Sequence, residues 1–147
     1  MTAQISPVPR LDLASSFEPV LTYHRHIDAG TASAGIDCFT EDATFEARGE
    51  RLQGKAEIAG FLAHRQGQTD RHTVHTITNP LVTGTAERAV VTAFVLLHVR
   101  QPDASYRLER VLDTVHELVP DDAGRWRVAV RRSRPLHPTV QATGPTP

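Results

Sequence analysis

Cysteine is almost absent from this chain. Cys38 is the only one in 147 residues, so neither an internal disulfide nor a multi-cysteine zinc site can form. An isolated cysteine of this kind reads as a small buried side chain rather than a nucleophile. Lysine is equally scarce: Lys55 is the only one among 16 basic residues, which leaves little basis for Schiff-base chemistry. No apolar run approaches the roughly 20 residues that a membrane helix needs. No basic block disturbs a balance that nets to −1, and phosphate-tracking surfaces draw on clustered positive charge. Neither a membrane nor nucleic acid is therefore an expected partner. Gly-rich phosphate loops and nucleophile elbows are missing too. Residues 1–13 lack the apolar stretch of a secretory signal, and a cytoplasmic location is the default expectation.

What is present in quantity is histidine, with 8 residues. Metal binding does not follow from the number. His24 and His26 are about 200° apart on a helix, His72 and His75 alternate across a strand, and no His-x-His pair with a following glutamate occurs. No metal or other cofactor is expected. The length suits one domain that buries roughly two-thirds of its unfolded surface.

Two halves of different character divide the chain. Ser15-Ser-Phe-Glu18 has the spacing of a capping box, and Val20, Tyr23 and Ile27 recur at helical intervals, predicting a helix over 16–29. A short second helix over 32–39, a brief strand at Asp42–Glu46, a turn bracketed by Gly49 and Gly54, and a third helix over 55–64 follow. Valine- and threonine-rich runs at 71–83, 87–101, 105–119 and 125–134 then read as strands joined by polar turns, a meander of antiparallel neighbours. Helices first and a sheet second is an α+β order. Residues 1–14 are expected to form a flexible arm, 15–134 the domain, and 135–147 a proline-rich tail.

Period two sorts the strand residues. His75, Ile77, Asn79 and Leu81 share one side of the first long strand, opposite His72, Val74 and Thr76. His98 follows Phe94 and Leu96 on one face of the next. Arg110, Leu112 and His116 alternate with Val111, Asp113 and Val115. Apolar residues occupy both faces, as in a curved sheet covered inside by helices and outside by a second subunit, so a homodimer is expected.

A tyrosine, a carboxylate and an imidazole suffice to move a proton without a cofactor, and Tyr23, Asp28 and His75 supply them. Asp28 ends a helix, where the dipole favours cations; it is either a solvated aspartate, a partner of His24, or a functional carboxylate. Tyr23, about 140° around the helix from Asp28, is either a core tyrosine or a donor to a substrate oxygen. His72 competes with His75. Asn79 serves a substrate or a turn before Pro80, and Trp126 reads as packing. Arg131, Arg132 and Arg134 read as a solvated or dimer-rim charge run.

Tyr23-His-Arg-His-Ile-Asp-Ala-Gly30, Phe39-Thr-Glu-Asp-Ala-Thr-Phe-Glu46, Gly54-Lys-Ala-Glu-Ile58, Val74-His-Thr-Ile-Thr-Asn-Pro80 and Gly124-Arg-Trp-Arg-Val128 occur in an order that resembles the SnoaL-like group of the nuclear-transport-factor-2-like superfamily. The resemblance runs from Phe17 to Arg134. It implies a cone, in which three N-terminal helices and a curved antiparallel sheet enclose a pocket. In the scytalone dehydratase, bile-acid dehydratase and dehydrochlorinase branch it implies a catalytic aspartate and histidine, matched by Asp28 and His75, with Tyr23 at a pocket tyrosine and His98 near a second histidine. Arg110 and Asp113 fall on an Arg-Tyr-x-Asp pattern, although Val111 replaces its tyrosine. Ala47 stands where ketosteroid isomerases have their aspartate, which disfavours that mechanism.

The leading expectation is a cofactor-independent lyase or isomerase. His75, oriented by Asp28, would act as general base, and Tyr23 with His98 or Asn79 would stabilise an oxygen or leaving group. The substrate would be small, largely apolar and oxygenated, with His72, Arg110 and Asp113 as further binding candidates. A non-catalytic ligand-binding or assembly module of the same fold is the second reading, and polyketide cyclisation led by Asp113 the third.

Overall fold

The computed structural model describes residues 13–137. The expected arm and tail fall outside them except at their inner ends, where Leu13–Ser16 form a 3-10 turn and Pro135 closes the last strand. Helix α1 spans Phe17–Asp28, a 3-10 segment Ala32–Cys38, and helix α2 Lys55–Gly67. Six strands complete the fold: β1 Phe39–Ala47, β2 Glu50–Gln53, β3 Thr73–Gly84, β4 Ala89–Arg100, β5 Tyr106–Pro120 and β6 Trp126–Pro135. They form one curved, unclosed sheet in the order β2-β1-β6-β5-β4-β3.

The α+β class holds, with one change of sheet type. β1 runs parallel to β6, while every other pair is antiparallel. A parallel pair needs a long crossover rather than a hairpin, and everything between β1 and β6 provides it. The turn between Gly49 and Gly54 contains the short strand β2. The 3-10 turn runs directly into α1, so Ser16, which precedes the helix, has helical backbone angles (φ −66°, ψ −21°) and makes no side-chain capping bond. Its hydroxyl bonds to the Leu13 carbonyl at 2.6 Å.

The helices cover the inner face of the sheet. Val20, Tyr23 and Ile27 of α1 and Ile58 and Leu62 of α2 meet Phe39, Ala43, Phe45, Val91, Leu118 and Val128 in one core. Each fully buried branched side chain here stabilises by about 1.5–3 kcal/mol. Alternation along β4 is strict, with Ala89, Val91, Ala93, Val95 and Leu97 buried.

Alternation fails elsewhere at three bulges. Between Thr78 and Leu81 β3 carries one more residue than β4, and Asn79 adopts φ +53° there. Thr73, His75 and Ile77 therefore face inward, but Leu81 turns out and is 69% exposed. Leu97 pairs with Arg110 and His98 with Leu108, which makes Glu109 the extra residue of β5. Leu118 pairs with Val128 and Glu117 with Val130, which makes Ala129 the extra residue of β6.

The β3–β4 turn depends on a residue without a Cβ. Gly84 has φ +134°, and an added Cβ would lie 2.1 Å from the Arg88 carbonyl oxygen. Gly60, in α2, has open space around it. Gly84→Ala should cost more than about 1 kcal/mol of unfolding free energy, whereas Gly60→Ala should stabilise by about 0.5–1 kcal/mol. Urea unfolding of both variants checks this, and equal effects would contradict the turn geometry.

Candidate active site

A cavity of about 610 Å³ lies between the helices and the inner face of the sheet, lined by residues that include Tyr23, His24, Phe45, Phe61, Thr73, His75, Leu97, Arg110 and Arg131. Behind one wall sits Asp28, the last residue of α1. Its Oδ1 is 2.6 Å from His75 Nδ1, its Oδ2 accepts the His75 backbone N–H at 2.8 Å, and the Thr73 hydroxyl donates to Oδ1 at 2.9 Å. Arg65 in turn donates to the Thr73 hydroxyl and the Arg71 carbonyl, each at 3.1 Å.

These bonds keep Asp28 ionised and fix the tautomer of a neutral His75. Burial pushes the Asp28 carboxyl up, but the His75 side chain and backbone, with Thr73, outweigh it and leave its pKa below the usual carboxylate value. An ionised Asp28 only accepts, so His75 Nδ1 carries the hydrogen and Nε2 bears the lone pair. His75 lines the cavity; Asp28 stands behind it.

A second cluster closes the same end of the cavity. The Tyr23 hydroxyl is 2.7 Å from His116 Nε2, and Arg131 Nε donates to the Tyr23 oxygen at 3.3 Å. The tyrosine accepts from arginine and donates to histidine, which fixes His116 with its hydrogen on Nδ1. Nδ1 has no partner. Arg131 is 6% exposed, yet no carboxylate pairs with it among the described residues. Nη1 instead donates to the Glu46 carbonyl (3.1 Å) and the Ser133 hydroxyl (2.9 Å), and the guanidinium lies 4.4 Å from the Phe45 ring centroid.

Burial raises the Tyr23 pKa and drives that of His116 well below the usual histidine value, with Arg131 adding to the latter effect. His24 is driven down likewise, by burial first and then by His75 and Arg131. Its Nδ1 donates to the Val20 carbonyl at 2.7 Å, and its ring centroid is 5.1 Å from that of His75.

Of the residues singled out by sequence, Asp28, His75 and Tyr23 converge here, and Arg110 lines the cavity. The others do not. His98 pairs with Val74 on the outer face, because alternation puts it opposite to Leu97. Asn79 is exposed at the bulge and accepts from the Thr78 hydroxyl at 2.8 Å. His72 precedes β3, is exposed, and takes part through its carbonyl, which accepts from the Arg100 N–H at 2.9 Å. Asp113 pairs across β4 with Phe94 and does not line the cavity, although it ion-pairs at 3.2 Å with Arg134, which does.

Arg131 departs from the solvated charge run, since Ala129 shifts the alternation of β6 and turns it inward beside His116. Arg132 and Arg134 remain exposed. His116 was legible only as a member of one face of its strand, and His24 only as an alternative partner of Asp28. The lining is also more cationic than a largely apolar substrate implies, with Arg48, Arg65, Arg71, Arg110, Arg131 and Arg134 against Glu50 and Glu109. Among the described residues no group of three or more His, Cys, Asp or Glu side chains could hold a metal ion.

The buried neutral imidazoles link stability to pH. The folded pKa values of His24 and His116 lie below that of an unfolded histidine, about 6.5, so the stability they contribute is fully present above that pH. It is lost as pH falls through the window below it, where the unfolded chain binds the protons. Unfolding free energy should therefore drop between pH 7 and pH 5, and His116→Gln should reduce the slope by up to about 1.4 kcal/mol per pH unit. Urea titrations over that range measure it; an unchanged slope in the variant would refute the assignment.

A model of the SnoaL-like domain matches residues 18–132. Among solved structures, an NTF2-like protein with a cystatin-like fold from Novosphingobium aromaticivorans is 19% identical, with a TM-score of 0.77 over 87% of this chain and 84% of that one. ActVI-ORFA from Streptomyces coelicolor is 15% identical, with a TM-score of 0.74 over 84% and 96% of the two chains. A structure from Catenulispora acidiphila in complex with S-DNPA is 18% identical, with a TM-score of 0.72 over 82% and 90%. At these identities the likeness is one of fold. A comparison with curated proteins finds no match. The matched span runs from α1 to β6 and takes in every element that builds the cavity, and the chain belongs to the SnoaL-like domain family.

Proposed function

We propose that this protein is a cofactor-independent lyase or isomerase in which His75 removes a carbon-bound proton from a small oxygenated substrate. The observation that carries the reading is the threefold hold on Asp28, which fixes His75 at 2.6 Å with its Nε2 lone pair free. The C–H proton passes to Nε2, and the bonding pair stays on carbon and delocalises onto an adjacent carbonyl oxygen. The ionised Asp28 stabilises the imidazolium that results. The imidazolium then returns the proton to another carbon of the substrate, or to a hydroxyl that departs as water.

Arg131 takes over the oxygen-stabilising role expected of Tyr23, His98 and Asn79. Tyr23 is fully buried, with its hydroxyl committed to His116 and Arg131. Arg131 lines the cavity with a positive charge that no carboxylate neutralises among the described residues, where charge developing on an enolate oxygen is stabilised. Two of the three expected donors lie outside the cavity, and the third serves to hold Arg131.

Solvent deuterium wash-in next to the carbonyl of a panel of cyclic and aromatic ketones, read by proton NMR, tests the reaction without knowledge of the product. The wild-type protein should accelerate exchange for members that fit. Asp28→Asn and His75→Ala should each slow it by about 10²–10⁴, with unfolding midpoints checked by circular dichroism. Full activity in both variants would remove the pair from the mechanism. Binding of the ketones without any exchange would leave the ligand-binding module as the better reading.

The same chain is proposed to pair through the outer face of the sheet, where Val74 is 42% and Leu108 47% exposed. Light scattering should give twice the 16.2 kDa chain mass, and Leu108→Glu should shift it toward the single chain. A monomeric wild type would rule the pairing out.

A further inference from the structure

His24 occupies the cavity wall beside the proposed base but takes no part in the proton transfer described above. Its ring is anchored through one edge only. Nδ1–H donates to the carbonyl of Val20, four residues earlier in α1, at 2.7 Å. That bond fixes the tautomer and turns Nε2, with its lone pair, away from the helix backbone. The ring is 4.1 Å from that of Tyr23 and 5.1 Å from that of His75, centroid to centroid, which places it between the two clusters at the closed end of the cavity.

No hydrogen bond reaches Nε2 among the described residues. Nor is it sealed: the buried side-chain nitrogens that lack a partner are His116 Nδ1 and Trp126 Nε1. The residue as a whole is 3% exposed, and the exposure it keeps is toward the cavity that it lines. An acceptor in this position, flanked by aromatic rings and turned to the cavity, is met by a donor on whatever fills the space. The hydrogen bonds of the neighbouring groups run elsewhere in the structure. The Tyr23 hydroxyl donates to His116, His75 keeps its hydrogen on the Asp28 side, and Arg131 directs Nε and Nη1 elsewhere.

We propose that His24 Nε2 is a specificity determinant that accepts a hydrogen bond from a hydroxyl group of the substrate, so that the cavity selects hydroxylated ring compounds over their ethers. The proposal rests on the reading of this cavity as the substrate site and adds the substrate class. The carbonyl oxygen would face Arg131, the acidic C–H would face His75, and a hydroxyl elsewhere on the ring would face His24. Selection of this kind is strong because an analogue without the donor leaves a buried acceptor unpaired. A methyl ether in the same place also brings a methyl group against the lone pair.

A matched pair of probes tests it: 2-naphthol and 2-methoxynaphthalene, with affinity measured by calorimetry on the wild-type protein, His24→Leu and His24→Gln. The wild type should prefer the naphthol by about tenfold or more. His24→Leu should bring the ratio close to one. His24→Gln, which keeps a side-chain carbonyl able to accept, should restore part of it. The preference is an equilibrium ratio that needs no turnover, so it is expected whether or not the protein exchanges deuterium, which separates this proposal from the fate of the proton-transfer reading. On the wild type alone, the Nε2 resonance of His24 in nitrogen-15 histidine spectra should shift on adding the naphthol and not the ether, an outcome independent of whether the leucine variant folds. A preference that survives in His24→Leu, an absent preference in the wild type, or failure of the naphthol to bind at millimolar concentration would each overturn it.

Discussion

The hold on Asp28 is the contact on which the site depends, because it joins the end of a helix to the start of a strand 45 residues later. A carboxylate in the last turn of a helix faces the negative end of the dipole, a penalty of about 0.3–1 kcal/mol. Hydrogen bonds to a charged acceptor contribute about 1.5–3 kcal/mol each, and three converge on this side chain. The bonds win, and the pKa falls below its usual value in spite of burial. One consequence is chemical, the fixed tautomer of His75. The other is architectural: with Asp28 pinned to β3, the register of α1 is set, and His24 and Tyr23, one turn earlier, are brought to the cavity wall.

Three bulges do the rest of the shaping. Each inserts one residue and reverses the alternation beyond it. At Asn79 the reversal takes the second half of β3 off the cavity, so that the strand lines it with Thr73 and His75 while Ile77 packs against the core. At Glu109 it allows adjacent residues, Glu109 and Arg110, both to reach the cavity. At Ala129 it sends Arg131 inward and lets it meet His116 across the strand pair. The sheet is therefore not a uniform surface under the helices. Its chemistry is placed where the ladder is broken.

This explains what could and could not be read from the residues. The helical spacing of Val20, Tyr23 and Ile27 identified the buried face of α1, and the valine-rich runs identified four strands to within a few residues. The partnership of Asp28 with His75 was legible through the family resemblance, since nothing local ties the two. Asn79 was placed beside His75 and Ile77 by counting in twos, and the count fails at a bulge that leaves almost no mark in sequence; His98 was counted correctly with Phe94 and Leu96, but that face of β4 is the outer one. Only Asn79, a residue that tolerates a left-handed backbone and precedes a proline, hints at one. Arg131 was lost for the same reason: without the extra residue at Ala129 it would point to solvent, like Arg132. The Tyr23–His116 bond spans 93 positions, and neither residue differs locally from an ordinary core side chain.

Environment, rather than residue type, then separates the imidazoles of His24, His75 and His116. A general base has to become a cation in the transition state, and the surroundings decide where that is tolerable. His116 is sealed from solvent, receives the Tyr23 hydroxyl proton on the nitrogen it would need, and stands near Arg131. A charge there would be a second buried cation beside the first. His24 is nearly as deeply buried and feels both Arg131 and His75. His75 alone of the three has a carboxylate against its far nitrogen, so the proton it accepts creates an ion pair in place of an isolated charge. Arg131 thereby acts in two ways at once. It is a positive group for developing negative charge on an oxygen, and its field adds to the burial that keeps the two neighbouring histidines neutral, leaving one base with the proton and one acceptor with its lone pair.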